Sequence, residues 1–152
     1  MMKYSLIIIC VLFMPINLFS QDMNNIIFIN DVADKEAATF GDAVKFFILT
    51  MGRKSRSYEK NIKYLHAKGI VESVNKETNT PLRRGTLSLM IAKYLNLRDS
   101  LLFMIFEIER YAFKACVANG IMDYLCSEWD IISGGELIEI MTNVSERQGV
   151  EH

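Results

Sequence analysis

Arg83 and Arg84 stand together just after Pro81, ahead of a run with helical periodicity. A helix N-terminus carries partial positive charge, and a guanidinium fork matches the paired oxygens of a carboxylate or phosphate. At that place the pair is a candidate receptor for a carboxylate or phosphate group of a ligand. The ordinary alternative is solvated surface charge, or ion pairing with nearby acids. Arg53, Lys54 and Arg56 form a second basic group in a connector between two helical patterns and read first as exposed loop charge. Cys116 and Cys126 form a pair with two readings. They bridge, closing a short loop that stabilises by ~3 kcal/mol, or they are two buried thiols behaving as small hydrophobes.

No other residues assemble into a reactive set. Glu107 and Glu109 are two apart on a helical pattern and point to different faces, a poor acid/base pair. Asp123, Glu128 and Asp130 gather acids without the spacing of a calcium loop. His66 has no acid or nucleophile spaced to work with it, and one histidine with two cysteines does not make a zinc site. Ser133-Gly134-Gly135-Glu136 reads as a helix cap more simply than as an anion-binding turn. The chain has no CxxC, GxSxG, HExxH, P-loop or GxGxxG motif. The expectation is a protein that is not an enzyme, with no catalytic residue, metal or cofactor.

The elements that must hold these residues are helical. Phe40, Val44, Phe47, Ile48 and Met51 recur at helical spacing behind a capping box of Thr39 and Asp42, and Gly52 stops that helix. Tyr58, Ile62 and Leu65 mark a second helix ending at Gly69. Leu87, Met90, Ile91, Tyr94 and Leu95 mark a third. Residues 101–106 are continuously apolar, and Ile108, Tyr111, Ala112, Ala115 and Cys116 extend them at helical intervals as far as Gly120. That pattern predicts one helix at the centre of a bundle. Leu137, Ile140, Met141 and Val144 give a last amphipathic face, with residues 145–152 as a polar tail. Ile26 to Ile29 is β-prone and predicts a short extended segment. The fold class is therefore all-α, a compact bundle of about five helices.

Two stretches read alike. Tyr64-Leu65-His66-Ala67-Lys68-Gly69-Ile70-Val71 and Ala115-Cys116-Val117-Ala118-Asn119-Gly120-Ile121-Met122 each close a helix on Gly-Ile, then lead through a loop to a second helix. The Gly-Ile steps at 69 and 120 are 51 residues apart, which signals repeat architecture. Thr39-Phe40-Gly41-Asp42 resembles Ser133-Gly134-Gly135-Glu136, so the units fall at 27–52, 57–97 and 105–144. This helix, Gly-Ile, loop, helix unit resembles the S-layer homology domain family. Pro81-Leu82-Arg83-Arg84-Gly85-Thr86 stands where that family has Pro-Ile-Thr-Arg-Ala-Glu, and Phe28-Ile29-Asn30-Asp31-Val32 resembles its Phe-x-Asp-Val opening. The resemblance implies three units in a pseudo-threefold cluster, with Arg84 on the motif arginine that contacts anionic cell-wall glycan. The pattern departs from the family at Thr86, which replaces the motif glutamate, and at Gly134 and Phe40, which replace the arginine.

The start of the chain reads as a secretory leader. Lys3 precedes an apolar run over residues 6–16, and Ser20 stands at a cleavage position before Gln21. The run is too short to span a bilayer comfortably. Residues 1–20 are thus expected to be cleaved, leaving residues 21–152 as a single helical domain without a transmembrane span. The expected location is the periplasm or cell surface. Loss of Lys3 leaves 16 basic and 18 acidic side chains, a net of −2, not the basic excess of a nucleic-acid binder. The expected partner is cell-wall polysaccharide or peptidoglycan, or alternatively another envelope protein.

Overall fold

The computed structural model describes residues 16–97 and 101–150. Seven helices occur in them: α1 (Ile16–Ala33), α2 (Phe40–Thr50), α3 (Tyr58–Ala67), α4 (Arg84–Tyr94), α5 (Leu101–Phe106), α6 (Glu109–Ala118) and α7 (Gly134–Val150). The all-α class holds, and among the described residues extended pairing is confined to two isolated bridges, Thr39 with Pro81 and Arg83 with Ile131. No helix among these residues is long and apolar enough to cross a membrane. The chain divides into a unit ending at Asp31 and a second beginning at Val32. The described part of the first is helical and exposes Met23, Ile26, Ile27 and Ile29. Of the expected leader, residues 1–15 lie outside the described residues, and 16–20 belong to α1.

In the second unit, α3 and α6 end alike. Gly69 and Gly120 take φ values of 73° and 64°, the left-handed region where a Cβ is penalised. Ile70 N–H then donates to Leu65 O (3.0 Å) and Gly69 N–H to His66 O (2.9 Å), while Ile121 and Gly120 repeat this on Cys116 and Val117. These bonds satisfy carbonyls that a helix end otherwise leaves unpaired. The turn sends Ile70 and Ile121 into the core, each under 5% exposed.

The starts of α2, α4 and α7 meet in a closed cycle of backbone hydrogen bonds. Leu82 N–H donates to Ala38 O (2.8 Å), Ala38 N–H to Ile132 O (2.8 Å) and Ile132 N–H to Leu82 O (3.0 Å). All three residues are fully buried. Each immediately precedes a helix-capping position, Thr39, Arg83 or Ser133. Thr39 with Asp42, and Ser133 with Glu136, form the expected reciprocal caps. Arg83 makes no side-chain cap. Instead Arg84 and Gly85 N–H donate to Asp130 O (2.9 Å) and Glu128 O (2.8 Å) of the loop before α7. Around this cycle, Phe40, Phe47, Leu65, Leu87, Ile91 and Leu137 fill the core. α4 packs on α6, and α2 lies against α3 and α7.

Four expectations are corrected. Residues 26–29 are helical, within α1, not extended. A run of four apolar residues does not distinguish strand from helix, and β-propensity has little weight without a partner strand. The single helix predicted from 101 to 120 is broken: Glu107 takes φ 42° and Ile108 is extended (φ −104°, ψ 157°) ahead of α6. α5 also does not sit at the bundle centre, since only Phe103 of its described side chains is buried. Finally, α7 runs to Val150 where a polar tail was expected. Its last turns are tied down by the Tyr94 hydroxyl donating to Gln148 and by Arg147 donating to Asn119 O.

Candidate functional site

Of the twin arginines, Arg84 is buried and Arg83 is half-exposed. Arg84 opens α4, and its side chain is 8% exposed in an ion pair with Glu136 of α7. Its Nε has no hydrogen-bond partner. Arg83 pairs with Glu109 at 3.3 Å, and its guanidinium lies 5.1 Å from the centre of the Trp129 ring. Thr86 donates to the same Glu109 at 2.7 Å. Both charges are thus neutralised within the fold, so the turn does not present two free cations to an acidic ligand. Burial alone would raise the Glu136 pKa. The Ser133 backbone N–H and the charge and hydrogen bond of Arg84 outweigh it and hold the carboxyl below the usual range.

The remaining candidates stay apart. Cys116 and Cys126 are both free thiols. Burial pushes the Cys116 thiol up to about 12, and its S–H points at Ser88 O (3.6 Å), so it is an inert packing residue. Cys126 is half-buried beside a 190 Å³ cavity that Arg84 and Glu136 also line. His66 is exposed on α3. Glu107 pairs with Lys93 at 3.7 Å, away from Glu109, which faces Arg83. Among the described residues no three His, Cys, Asp or Glu side chains could hold a metal ion.

A different basic group forms a concavity. The connector after α2 turns at Gly52 and lies across the start of α3. Together they enclose a groove of about 360 Å³ lined by Arg53, Lys54, Arg56, Lys60, Asn61 and Tyr64, together with Ile48 and Gly52. All four cations are exposed. Among the described residues none of them is in an ion pair, and no acid lines the groove. The Arg53 guanidinium lies 4.4 Å from the Tyr64 ring centre, and Lys68 approaches the same ring at 5.9 Å. Like charges clustered round a low-dielectric wall raise the local positive potential, and exposed guanidinium and ammonium donors suit an acidic group on a ligand.

Asn61 positions this group. It is 5% exposed. Its Oδ1 accepts from Arg56 N–H (3.0 Å), and its Nδ2 donates to Ser55 Oγ (3.0 Å) and Arg56 O (3.1 Å). The sequence carried no signal for it, because an asparagine among Lys60, Lys63 and Tyr64 reads as part of a solvated helix face. Its role appears only when the connector folds back onto α3. We expect Asn61→Ala to lower stability by about 1–3 kcal/mol, the cost of leaving buried partners unpaired. Urea unfolding measures that loss, and limited trypsin digestion should cut the native chain faster at residues 53–56.

Compared with known proteins, the chain matches no family model, no curated protein and no solved structure.

Proposed function

We propose that this chain is a non-catalytic binding module of the bacterial envelope, exported on a leader at residues 1–20. It is an S-layer homology relative that holds acidic cell-wall glycan in the groove of Arg53, Lys54, Arg56, Lys60 and Tyr64. The observation that carries the proposal is that groove: four exposed cations that form no ion pair and face no acid among the described residues, with Tyr64 behind Arg53. The cycle through Ala38, Leu82 and Ile132 supports the repeat reading, because the residues two before Phe40, Arg84 and Gly134, the positions compared from sequence, bond to one another in turn. Binding is an equilibrium process, in which guanidinium and ammonium groups meet carboxylate, phosphate or ketal oxygens while Tyr64 backs the Arg53 guanidinium. Arg84 enters as a brace between α4 and α7, not as the receptor.

The test is retention on purified sacculi at low salt, using the chain purified from the periplasm of an exporting host. Retention should fall at least tenfold in Arg53→Glu/Arg56→Glu/Lys60→Glu and decline steadily as salt screens the charges. Unchanged retention in that variant, with its circular dichroism intact, rejects the groove. A second reading, a protein-interaction subunit of an envelope assembly, is favoured by the loop that exposes Tyr124 (76%), Leu125 (76%) and Trp129 (66%). Retention on whole-envelope extract but not on purified sacculi, lost in Leu125→Ser/Trp129→Ser and kept in the charge reversal, selects that reading.

A further inference from the structure

α5 is a short helix turned outward. Leu102, Met104, Ile105 and Phe106 are 47%, 51%, 70% and 55% exposed, and Ile108 beyond its end is 48% exposed. Phe103 packs inward, against Leu89, Ala92 and Ala112, and the half-exposed Phe106 ring lies 5.6 Å from that of Tyr111. At 100° per residue the exposed side chains occupy every side of α5 except that of Phe103. A protein partner docking on one face would leave some of them in water. A lipid surface surrounds all of them at once.

The charges beside α5 fit an anionic surface. Glu107 and Glu109 follow the helix; Glu109 is held by Arg83 at 3.3 Å, whereas Glu107 is 62% exposed and shares Lys93 (3.7 Å) with Glu72 (3.0 Å). Arg110 and Lys114 then stand one turn apart on α6, both exposed, and neither has an ion-pair partner among the described residues. An apolar projection flanked by two free cations is the composition of a peripheral membrane contact, where each cation adds to apolar insertion. We infer that α5 inserts into the interface of an anionic bilayer, with Arg110 and Lys114 at the level of the headgroups. This contact is separate from the glycan groove and does not rest on it.

The test is flotation of the periplasmically purified chain with vesicles of phosphatidylcholine and phosphatidylglycerol in equal parts, against vesicles of phosphatidylcholine alone. We expect binding to the mixed vesicles, weakened at least tenfold by Ile105→Ser/Phe106→Ser and roughly fivefold for each of Arg110→Gln and Lys114→Gln. Insertion is read separately. Trp129 is the only tryptophan in the chain, so Ile105→Trp in a Trp129→Phe background reports from α5 alone, and lipids brominated in the acyl chains should quench it. Three results overturn the inference: no flotation, flotation indifferent to the α5 changes, or loss of a dimer in sedimentation by the α5 variant without any vesicle binding. The last would show that a second copy of the chain covers α5.

Discussion

Gly134→Ala is expected to destabilise the second unit by about 3 kcal/mol or more, the upper range for forcing an atom into packed backbone. A Cβ at this position falls 1.7 Å from Val32 O and 2.7 Å from Val32 C. Both are main-chain atoms, so no side-chain rotation relieves the clash. The start of α7 would have to move away from residues 32–35. That movement also breaks the hydrogen bond from Gly134 N–H to Lys35 O (2.9 Å). The neighbouring glycine provides the control. A Cβ on Gly135 meets nothing within 4 Å, and Ala is the better helix former, so Gly135→Ala should stabilise by about 0.5–1 kcal/mol. Urea unfolding of the two variants should shift the midpoint in opposite directions with little change in slope. Equal effects would mean that α7 is not seated on Val32 as described.

The contrast between those glycines shows which part of the fold the sequence carries. Local chemistry was legible. The caps at Thr39–Asp42 and Ser133–Glu136 are each written in four residues, and the Gly-Ile turns at 69 and 120 follow from the need of a left-handed residue to close a helix. Which of Gly134 and Gly135 is sterically obligatory was not legible, because Val32 lies about a hundred residues away in the chain. The break at Glu107 was hidden for a similar reason. Residues 101–116 keep helical periodicity through it, and a positive φ on a glutamate has no sequence signature. Continuous apolarity at residues 101–106 pointed to the bundle centre, yet it specifies only that the segment prefers to leave water, not what it meets there.

The candidate site divides in the same way. Arg83 and Arg84 were conspicuous as a pair, but their partners Glu109 and Glu136 come from other helices and are 26 and 52 residues distant. Pairing at such separation is a tertiary fact, and it converts a candidate receptor into internal cross-bracing. The groove at Arg53, Lys54 and Arg56 was visible only as charge in a connector. Its concavity depends on Asn61 drawing that connector onto α3 and on Tyr64 lying beneath Arg53.

Glu136→Gln is expected to cost about 2–3 kcal/mol near neutral pH, and Arg84→Met about 1 kcal/mol or less, although each removes one end of the same ion pair. The Arg84 side chain is 8% exposed, so without its partner a nearly desolvated charge remains. Glu136 is 42% exposed, so solvent screens it, and the cost stays below the 3–5 kcal/mol of a fully buried broken pair. When Arg84 goes instead, Glu136 keeps water and its Ser133 bonds, and methionine fills the volume of the arginine stem. The double variant should therefore resemble Arg84→Met. The pH dependence has a definite sign. The Glu136 pKa is lowered in the folded state, so its contribution is complete above the unfolded carboxylate pKa and is lost as pH falls through the folded one. The gap between wild type and Glu136→Gln should close over that acidic range and stay constant above it. The same variant separates the two roles for this arginine. A receptor at Arg84 requires that Arg84→Met abolish retention on sacculi, whereas a brace requires that retention persist while stability barely moves.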